Sequence, residues 1–351
     1  MSDRGVPATT LGAPLVVAKP GSRRTTPAAW SSRRRHWPTG FPVQKRRSAA
    51  QKAPAARLLS RSSRTWMWAG VAAGLAFYVV FGIVPTVANL VVSFTNYSGF
   101  PGAPTSFVGL SNYELLFTSQ EPGFVSSIEA TVVFVVGVTV CQNVIGIALA
   151  HRLQKDSKTA SVLRVLAFFP IVLGVTVVGI VWLLLFDPVS SPAEVVFGAF
   201  GVHSAFFGAN NVAMVLVIIV QVWQNLGFTM AVYIGGLKTV PRSVYEAADL
   251  DGASAWQRLR SITWPMMAPS VSVNVLFAVV GSLTTYNLIY ILTDGAFGTN
   301  TLGMFAFNTA FGSSADLGLG AAVTMALFVV AVVVAIPLAA LLRARERRLG
   351  V

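Results

Sequence analysis

Charge is scarce in this chain and unevenly placed. Only 11% of its 351 residues are Asp, Glu, Lys or Arg, where a soluble domain carries about 25%. Three long blocks, 65–151, 165–237 and 261–342, contain no Lys or Arg at all. A soluble fold of this size needs basic side chains along most of its length to cover its surface, so that class is excluded. Cysteine is nearly absent as well. The one thiol, Cys141, lies in an apolar stretch, which rules out an intrachain disulfide and suits a small buried hydrophobe. No G-x-x-x-x-G-K-S/T phosphate loop occurs, so the chain is not expected to bind or hydrolyse ATP itself. His36, His151 and His203 are far apart and fall in the tail or at membrane edges, which suggests neither a metal set nor a catalytic one. No cofactor or metal is expected on this chain, and no enzymatic activity.

What is abundant is Val, Leu, Ile, Phe and Ala, and 54% of the chain is hydrophobic. The 26 Lys and Arg residues are confined to 1–64, 152–164, 238–260 and 343–348. Each block between them is long enough to cross a bilayer twice. This alternation is the positive-inside pattern. It predicts an all-α polytopic membrane protein with six transmembrane helices and both termini cytoplasmic. The net charge of +13 invites a nucleic-acid reading, but with every basic cluster on one side, anionic lipid headgroups account for it.

The predicted spans are Trp66–Val92, Val125–Ala150, Val162–Phe186, Val212–Gly236, Pro265–Leu292 and Gly318–Leu342. Each exceeds the roughly 20 residues that traverse hydrocarbon. The external segments carry Glu114, Glu121, Asp187, Glu194, Asp294 and Asp316 and no basic residue. Residues 1–64 are rich in Arg, Pro, Ser, Ala and Thr and read as a disordered basic cytoplasmic tail. The division is therefore a tail over 1–64 and a six-span domain over 65–348, with a distinctive cytoplasmic loop over 238–264.

That loop carries Pro241, which suits a helix start, and apolar residues Val244, Ala247, Ala248, Trp256 and Leu259 at recurring spacing. Gly252 permits a sharp bend between two short helices. Arg258 and Arg260 close the second helix, where the dipole favours cations. On pattern alone this is either an interfacial hairpin that joins spans 4 and 5 or a rigid docking element for a cytoplasmic partner.

Glu246-Ala247-Ala248, Asp251-Gly252-Ala253, Ile262, Pro265 and Pro269 resemble the EAA loop of binding-protein-dependent ABC importer permeases. Phe107-Val108-Gly109-Leu110 with Asn112-Tyr113, Phe168-Phe169-Pro170 at the opening of span 3, and Tyr290-Ile291-Leu292-Thr293 extend the resemblance. It covers about residues 66–348 and points to the carbohydrate branch, in particular a subunit resembling the first membrane component of maltose and glycerol-phosphate importers, which implies a place in a bacterial inner membrane. Trp264 and Leu259 depart from the usual Leu and Phe but stay large and apolar, and 294–298 lacks the usual glycine run.

The resemblance implies that Glu246, Ala247, Ala248, Asp251, Gly252 and Ala253 couple the chain to an ATPase. It also implies a second, homologous permease, two cytoplasmic ATP-binding subunits that use ATP and Mg2+, and an extracytoplasmic solute-binding protein.

Polar groups inside spans are expensive unless they face a cavity or a partner. Gln221 and Asn225 are spaced to share a helical face, and Ser282 and Thr285 to share another, with Asn287 nearby. These form the candidate substrate pathway for a neutral, sugar-like solute, with helix–helix hydrogen bonding as the alternative. Asn143 and Asn274 read as such glue. Trp182 and Trp223 are possible stacking groups. The expected function is solute translocation for a sugar, polyol or glycoside. The alternatives are glycerol phosphate, an amino acid or a peptide as cargo, or a self-sufficient secondary carrier.

Overall fold

Inside hydrocarbon every backbone N–H and C=O must find a partner within the chain, which a helix achieves alone. The computed structural model describes residues 61–350 apart from 101, 119–121, 188, 190–191, 202, 211 and 314–315. The expected tail lies outside these residues except for 61–64, which open the first helix. Residues 67–351 form one compact unit.

α1 (Arg61–Tyr78) passes through a π turn, Val79–Ile83, into α2 (Val84–Val92), and together they supply the apolar span Trp66–Val92. A short α3 (Ser111–Phe117) precedes α4 (Pro122–Leu153). α5 (Lys158–Val172) and α6 (Val175–Leu185) form the third crossing, and α7 (Pro192–Gly198) lies beyond it. α8 (Ala213–Thr239) is the fourth. It leads into the hairpin α9 (Arg242–Leu250) and α10 (Ala255–Arg258). A π turn, Leu259–Thr263, then α11 (Trp264–Met266) and α12 (Ala268–Thr284) make the fifth. α13 (Asn287–Thr293), α14 (Leu302–Phe311) and the long α15 (Leu317–Leu349) complete the chain. Among the described residues the β pairing is one isolated bridge, Thr95 to Phe107.

Four of the expected crossings are continuous, and two are broken. α5 and α6 meet at 99°, and the α10–α11 segment meets α12 at 69°, so the count of six holds with each bent pair taken as one span. The first break follows from Pro170, which cannot donate to the helical ladder, and from the extended backbone of Leu173 and Gly174. Phe168-Phe169-Pro170 therefore sits just before this break, and not at the opening of the span. The fifth span also ends earlier than expected. Thr284 and Thr285 turn their hydroxyls onto carbonyls of their own last turn, Thr285 becomes extended, and α13 restarts at Asn287.

α8 is the central helix, packed against α4, α5 and α12. At its crossing with α5, a Cβ on Gly227 would lie 2.5 Å from both the Ala167 carbonyl oxygen and the Phe168 Cα. Glycine is what lets these two backbones touch. Buried polar side chains join the three central helices. Gln142 donates to the Thr229 hydroxyl at 2.6 Å, Tyr233 donates to Asn143 at 2.5 Å, and Asn274 donates to the Thr229 carbonyl at 3.2 Å. Asn143 and Asn274 thus act between helices, as their sequence positions suggest.

The outward faces of the spans are apolar and exposed, as befits lipid or a partner helix. Cys141 belongs to this set. It is exposed, contrary to the expectation of burial, because its face of α4 is not the one turned to α8. Glu129, in the first turns of α4, is exposed on the same helix at the acidic end of the bundle.

Candidate functional site

The hairpin between the fourth and fifth crossings is built almost wholly from local hydrogen bonds. α9 starts after Pro241, which stands at the N-cap and not inside the first turn. It ends in a Schellman turn. The Ala253 N–H bonds the Ala248 carbonyl at 2.9 Å and the Gly252 N–H bonds the Asp249 carbonyl at 3.2 Å. Gly252 supplies the left-handed residue this turn needs, at φ +70.

α10 begins with a capping box. The Ser254 hydroxyl accepts from the Gln257 N–H at 3.3 Å, and the Gln257 side chain accepts from the Ser254 N–H at 2.8 Å. Arg258 on α10 pairs with Asp249 on α9 and ties the two arms together. Arg242 pairs with Glu246 along α9 at 3.3 Å.

The side chains sort into an anchored set and a presented set. Ala248 is buried, and Tyr245 is held at 2.9 Å by the Thr263 hydroxyl, which fixes the hairpin to the foot of the fifth crossing. Ala253 is half-buried in the turn. Glu246, Ala247, Asp251 and Gly252 are exposed. So the six residues expected to couple to a partner are brought together, four on the outside and two holding the bend.

The sequence reading missed Leu250, which ends α9 with 91% of its surface exposed, and Trp256, one of the residues in its recurring apolar set, is 66% exposed. Leu250 could have been found: it lies between two acidic residues, off the Val244–Ala248 stripe, where a leucine serves no packing role.

A cavity of about 500 Å³ separates the hairpin from the ends of α4 and α8, with His151, Tyr245, Trp256 and Arg258 on its walls. At the exit of the hairpin the Arg345 guanidinium of α15 lies 5.7 Å from the centre of the Trp264 ring. That cation–π contact ties the carboxy-terminal helix to the start of the fifth crossing. Among the described residues no group of three or more His, Cys, Asp or Glu gathers as a metal set would.

The polar residues expected along a solute path are distributed as follows. Gln221 and Asn225 share one face of α8, both half-buried, and the Asn225 amide donates to the Gln221 carbonyl at 2.9 Å. Ser282 is 2% exposed and its hydroxyl donates to the Ala278 carbonyl at 2.5 Å. Thr285 stands past the end of α12, so the two do not share a helical face as their spacing suggested. Asn287 opens α13 with its side chain accepting from the Leu288 N–H at 2.9 Å. Trp182, packed against the outer core cluster, meets the more exposed Trp223 edge to face at 5.5 Å.

The motif around Phe107–Tyr113 is structural: Asn112 donates to the carbonyls of Ser93 and Thr95, both at 2.9 Å, and Tyr113 meets the Ser93 hydroxyl at 2.7 Å. This satisfies the orphan carbonyls at the end of the first span.

With this geometry in hand, the chain can be set beside known proteins. It is 29% identical over 276 residues to the multiple sugar-binding transport system permease protein MsmF of Streptococcus mutans serotype c, covering 78% of this chain and 94% of that one. It is 28% identical over 288 residues to the probable starch degradation products transport system permease protein AmyD of Thermoanaerobacterium thermosulfurigenes, covering 80% and 95%. Its fold matches a chain in the crystal structure of a bacterial alginate ABC transporter in complex with an alginate pentasaccharide-bound periplasmic protein. There the TM-score is 0.68 at 18% identity, with 83% of this chain and 98% of that chain covered. The model of the family described as binding-protein-dependent transport system inner membrane component matches residues 142–350, from mid-α4 through the hairpin to the last helix. This chain, an all-helical membrane protein with an EAA hairpin between its fourth and fifth crossings, belongs to that family.

Proposed function

We propose that this chain is the translocation subunit of an ATP-driven importer for a neutral sugar or a related polyol or glycoside. It works beside a second, homologous permease and receives solute from an extracytoplasmic binding protein. Two cytoplasmic subunits bind ATP and Mg2+ and deliver force through residues 242–263. The observation that carries this reading is the hairpin: a bend locked by its own hydrogen bonds, anchored by Tyr245, and exposing Glu246, Ala247, Leu250 and Asp251. A connecting loop needs no such rigidity. A lever does.

The path of the force is legible. α10 continues through a π turn into α11 and across the 69° bend into α12, so displacement of the hairpin is delivered to a crossing helix directly. α12 ends beside Thr285, and it packs against α8, the helix that carries Gln221 and Asn225. We assign Gln221, Asn225, Ser282 and Thr285 to the solute path, with Ser282 turned to its own helix in this conformation. Amides and hydroxyls without fixed charge suit a neutral solute. The names of the sugar- and starch-product relatives support that class, as does the lack of Lys and Arg in the three apolar blocks.

The test is reconstitution in liposomes with the partner subunits and binding protein, measuring uptake of maltose, trehalose, raffinose, glycerol phosphate and amino acids. The expected result is ATP-dependent uptake of at least one neutral sugar. Uptake confined to phosphate or amino-acid cargo would remove the sugar assignment. Uptake driven by an ion gradient without ATP would remove the importer reading itself.

A further inference from the structure

At the acidic end of the bundle, a cavity of about 370 Å³ opens between the ends of α2 and α12, the helix α14 and the start of α15. Its wall is a run of aromatic rings. Tyr286 and Phe307 stack with centroids 5.1 Å apart and planes 19° from parallel, and Phe311 continues the run 5.4 Å from Phe307. Two of the rings are open, Tyr286 at 41% exposed and Phe311 at 67%, and Phe307 lies half-buried between them with Tyr290 against its edge at 5.0 Å. Three neutral polar side chains complete the lining: Asn89, and Thr284 and Thr324, whose hydroxyls donate to carbonyls of their own helices and keep their acceptor lone pairs. No Lys, Arg, Asp or Glu is among the described residues that line the cavity. None of these six residues was picked out from sequence as a ligand contact, because they come from four separate elements.

An open aromatic face with neutral donors and acceptors beside it is the chemistry of a pyranose site. The ring's negative π face attracts the weakly positive C–H face of the sugar, while amide and hydroxyl groups meet its hydroxyls. A volume in the range of ordinary ligand pockets, about 300–1,000 Å³, holds one sugar unit or two. We propose that this cavity is an outer sugar subsite, distinct from the path at Gln221 and Asn225. It would hold one sugar unit as it enters the bundle from the acidic side. The proposal rests on the sugar reading above.

The experiment uses the assembled transporter in liposomes, with Thr324→Cys placed in a Cys141→Ser chain. The rate of maleimide labelling is read with and without maltose or trehalose. Sugar is expected to slow labelling. In parallel, Phe307→Leu is expected to raise the KM for uptake about tenfold, a change equivalent to the loss of one good contact, while Phe307→Tyr restores it. Should Phe307→Leu fail to assemble, the labelling result decides alone.

Labelling that is unchanged by sugar in a transporter that still imports it overturns the subsite and leaves the sugar reading standing. So does a thiol that reacts in the isolated chain but is already shielded, without sugar, in the complex, because a partner helix then fills the cavity. Failure to import any sugar overturns both.

Discussion

The hairpin and the bundle it is attached to are held together by opposite means. In the hairpin, most stabilising contacts close within a few residues, such as Ala253 to Ala248, Gln257 to Ser254 and Arg242 to Glu246, and the longest reaches only from Tyr245 to Thr263. In the bundle, the decisive contacts join residues far apart in sequence, such as Gln142 with Thr229 or Gly227 with Ala167 and Phe168. A locally closed element keeps its shape whatever its surroundings do. A bundle closed by distant contacts can change how its helices cross. The pairing of the two suits a device in which one part must transmit motion and the other must yield to it.

The comparison is broken most severely at Gly227. A valine there would drive its side chain into the α5 backbone, which has no rotamer to escape with, and the crossing of α5 and α8 would have to separate. Gly227→Val is expected to abolish the folded, membrane-inserted complex, read as loss of the monodisperse peak in size-exclusion chromatography. A surviving peak with native thermal stability would mean that the bundle tolerates a shift at its centre.

Gly252→Val probes the other side. No atom lies within 4 Å of a Cβ placed at Gly252, so the cost is conformational alone: about 1–2 kcal/mol for holding a branched residue at positive φ. The chain should insert and assemble, because the hairpin is not part of the bundle's packing. Its bend should loosen, and uptake per ATP hydrolysed should fall severalfold. Gly252→Asn, which tolerates the left-handed region, should recover much of that ratio. Equal coupling in Gly252→Val and the parent chain would argue that the bend carries no force.

This contrast also explains what could be read from the sequence. The hairpin was legible in outline, since turns and helix ends are written in adjacent letters, although the exposure of Leu250 and the capping box at Ser254 were not read. Gly252 and the Glu246–Ala253 stretch needed no three-dimensional information. The continuous spans were legible because length and hydropathy suffice, and Trp66–Val92 has the limits expected of it. What failed was whatever depends on distant partners. The break after Val172 and the early end of α12 at Thr284 arise where Pro170 and the paired threonines meet packing that holds the broken form. The exposure of Cys141 depends on which face of α4 meets α8. Ser282 and Thr285 have the spacing of one helical face, but the helix ends at Thr284, before the second of them. The aromatic cavity could not be seen at all, since Asn89 and Phe307 meet only when the first span and α14 are folded beside each other.

A smaller effect sharpens the local side of the comparison. Ser254 supplies one half of the capping box that starts α10, and replacing an N-cap serine by alanine costs about 1 kcal/mol. Because α10 has a single turn and leads straight into the lever, the expected loss is local. Amide exchange in 254–258 should speed up about fivefold, while exchange in α4 and α8 stays as it was. Faster exchange throughout the bundle would show that the hairpin and the crossings unfold together, contrary to the division drawn here.

The smallest expected effect lies at the outer surface, where a contact that looks electrostatic should hardly matter. His203 Nδ1 lies 2.8 Å from the Glu194 carboxylate, and the pair is largely exposed. The hydrogen bond from His203 holds the Glu194 carboxyl below the ordinary glutamate range, with a smaller contribution from the Ser204 N–H. A carboxyl whose folded pKa is depressed stabilises the fold above its unfolded pKa and loses that contribution as pH falls through the folded one. The window therefore lies on the acid side of about pH 4, well below any pH at which the importer would be assayed. Solvent screening keeps such exposed pairs weak. Glu194→Gln is thus expected to leave uptake unchanged between about pH 6 and pH 8, and to lessen only slightly the fall in melting temperature below about pH 4. A marked change of uptake with Glu194→Gln near neutrality would mean that this loop contacts a partner, since the Glu194 carboxyl stays ionised throughout that range.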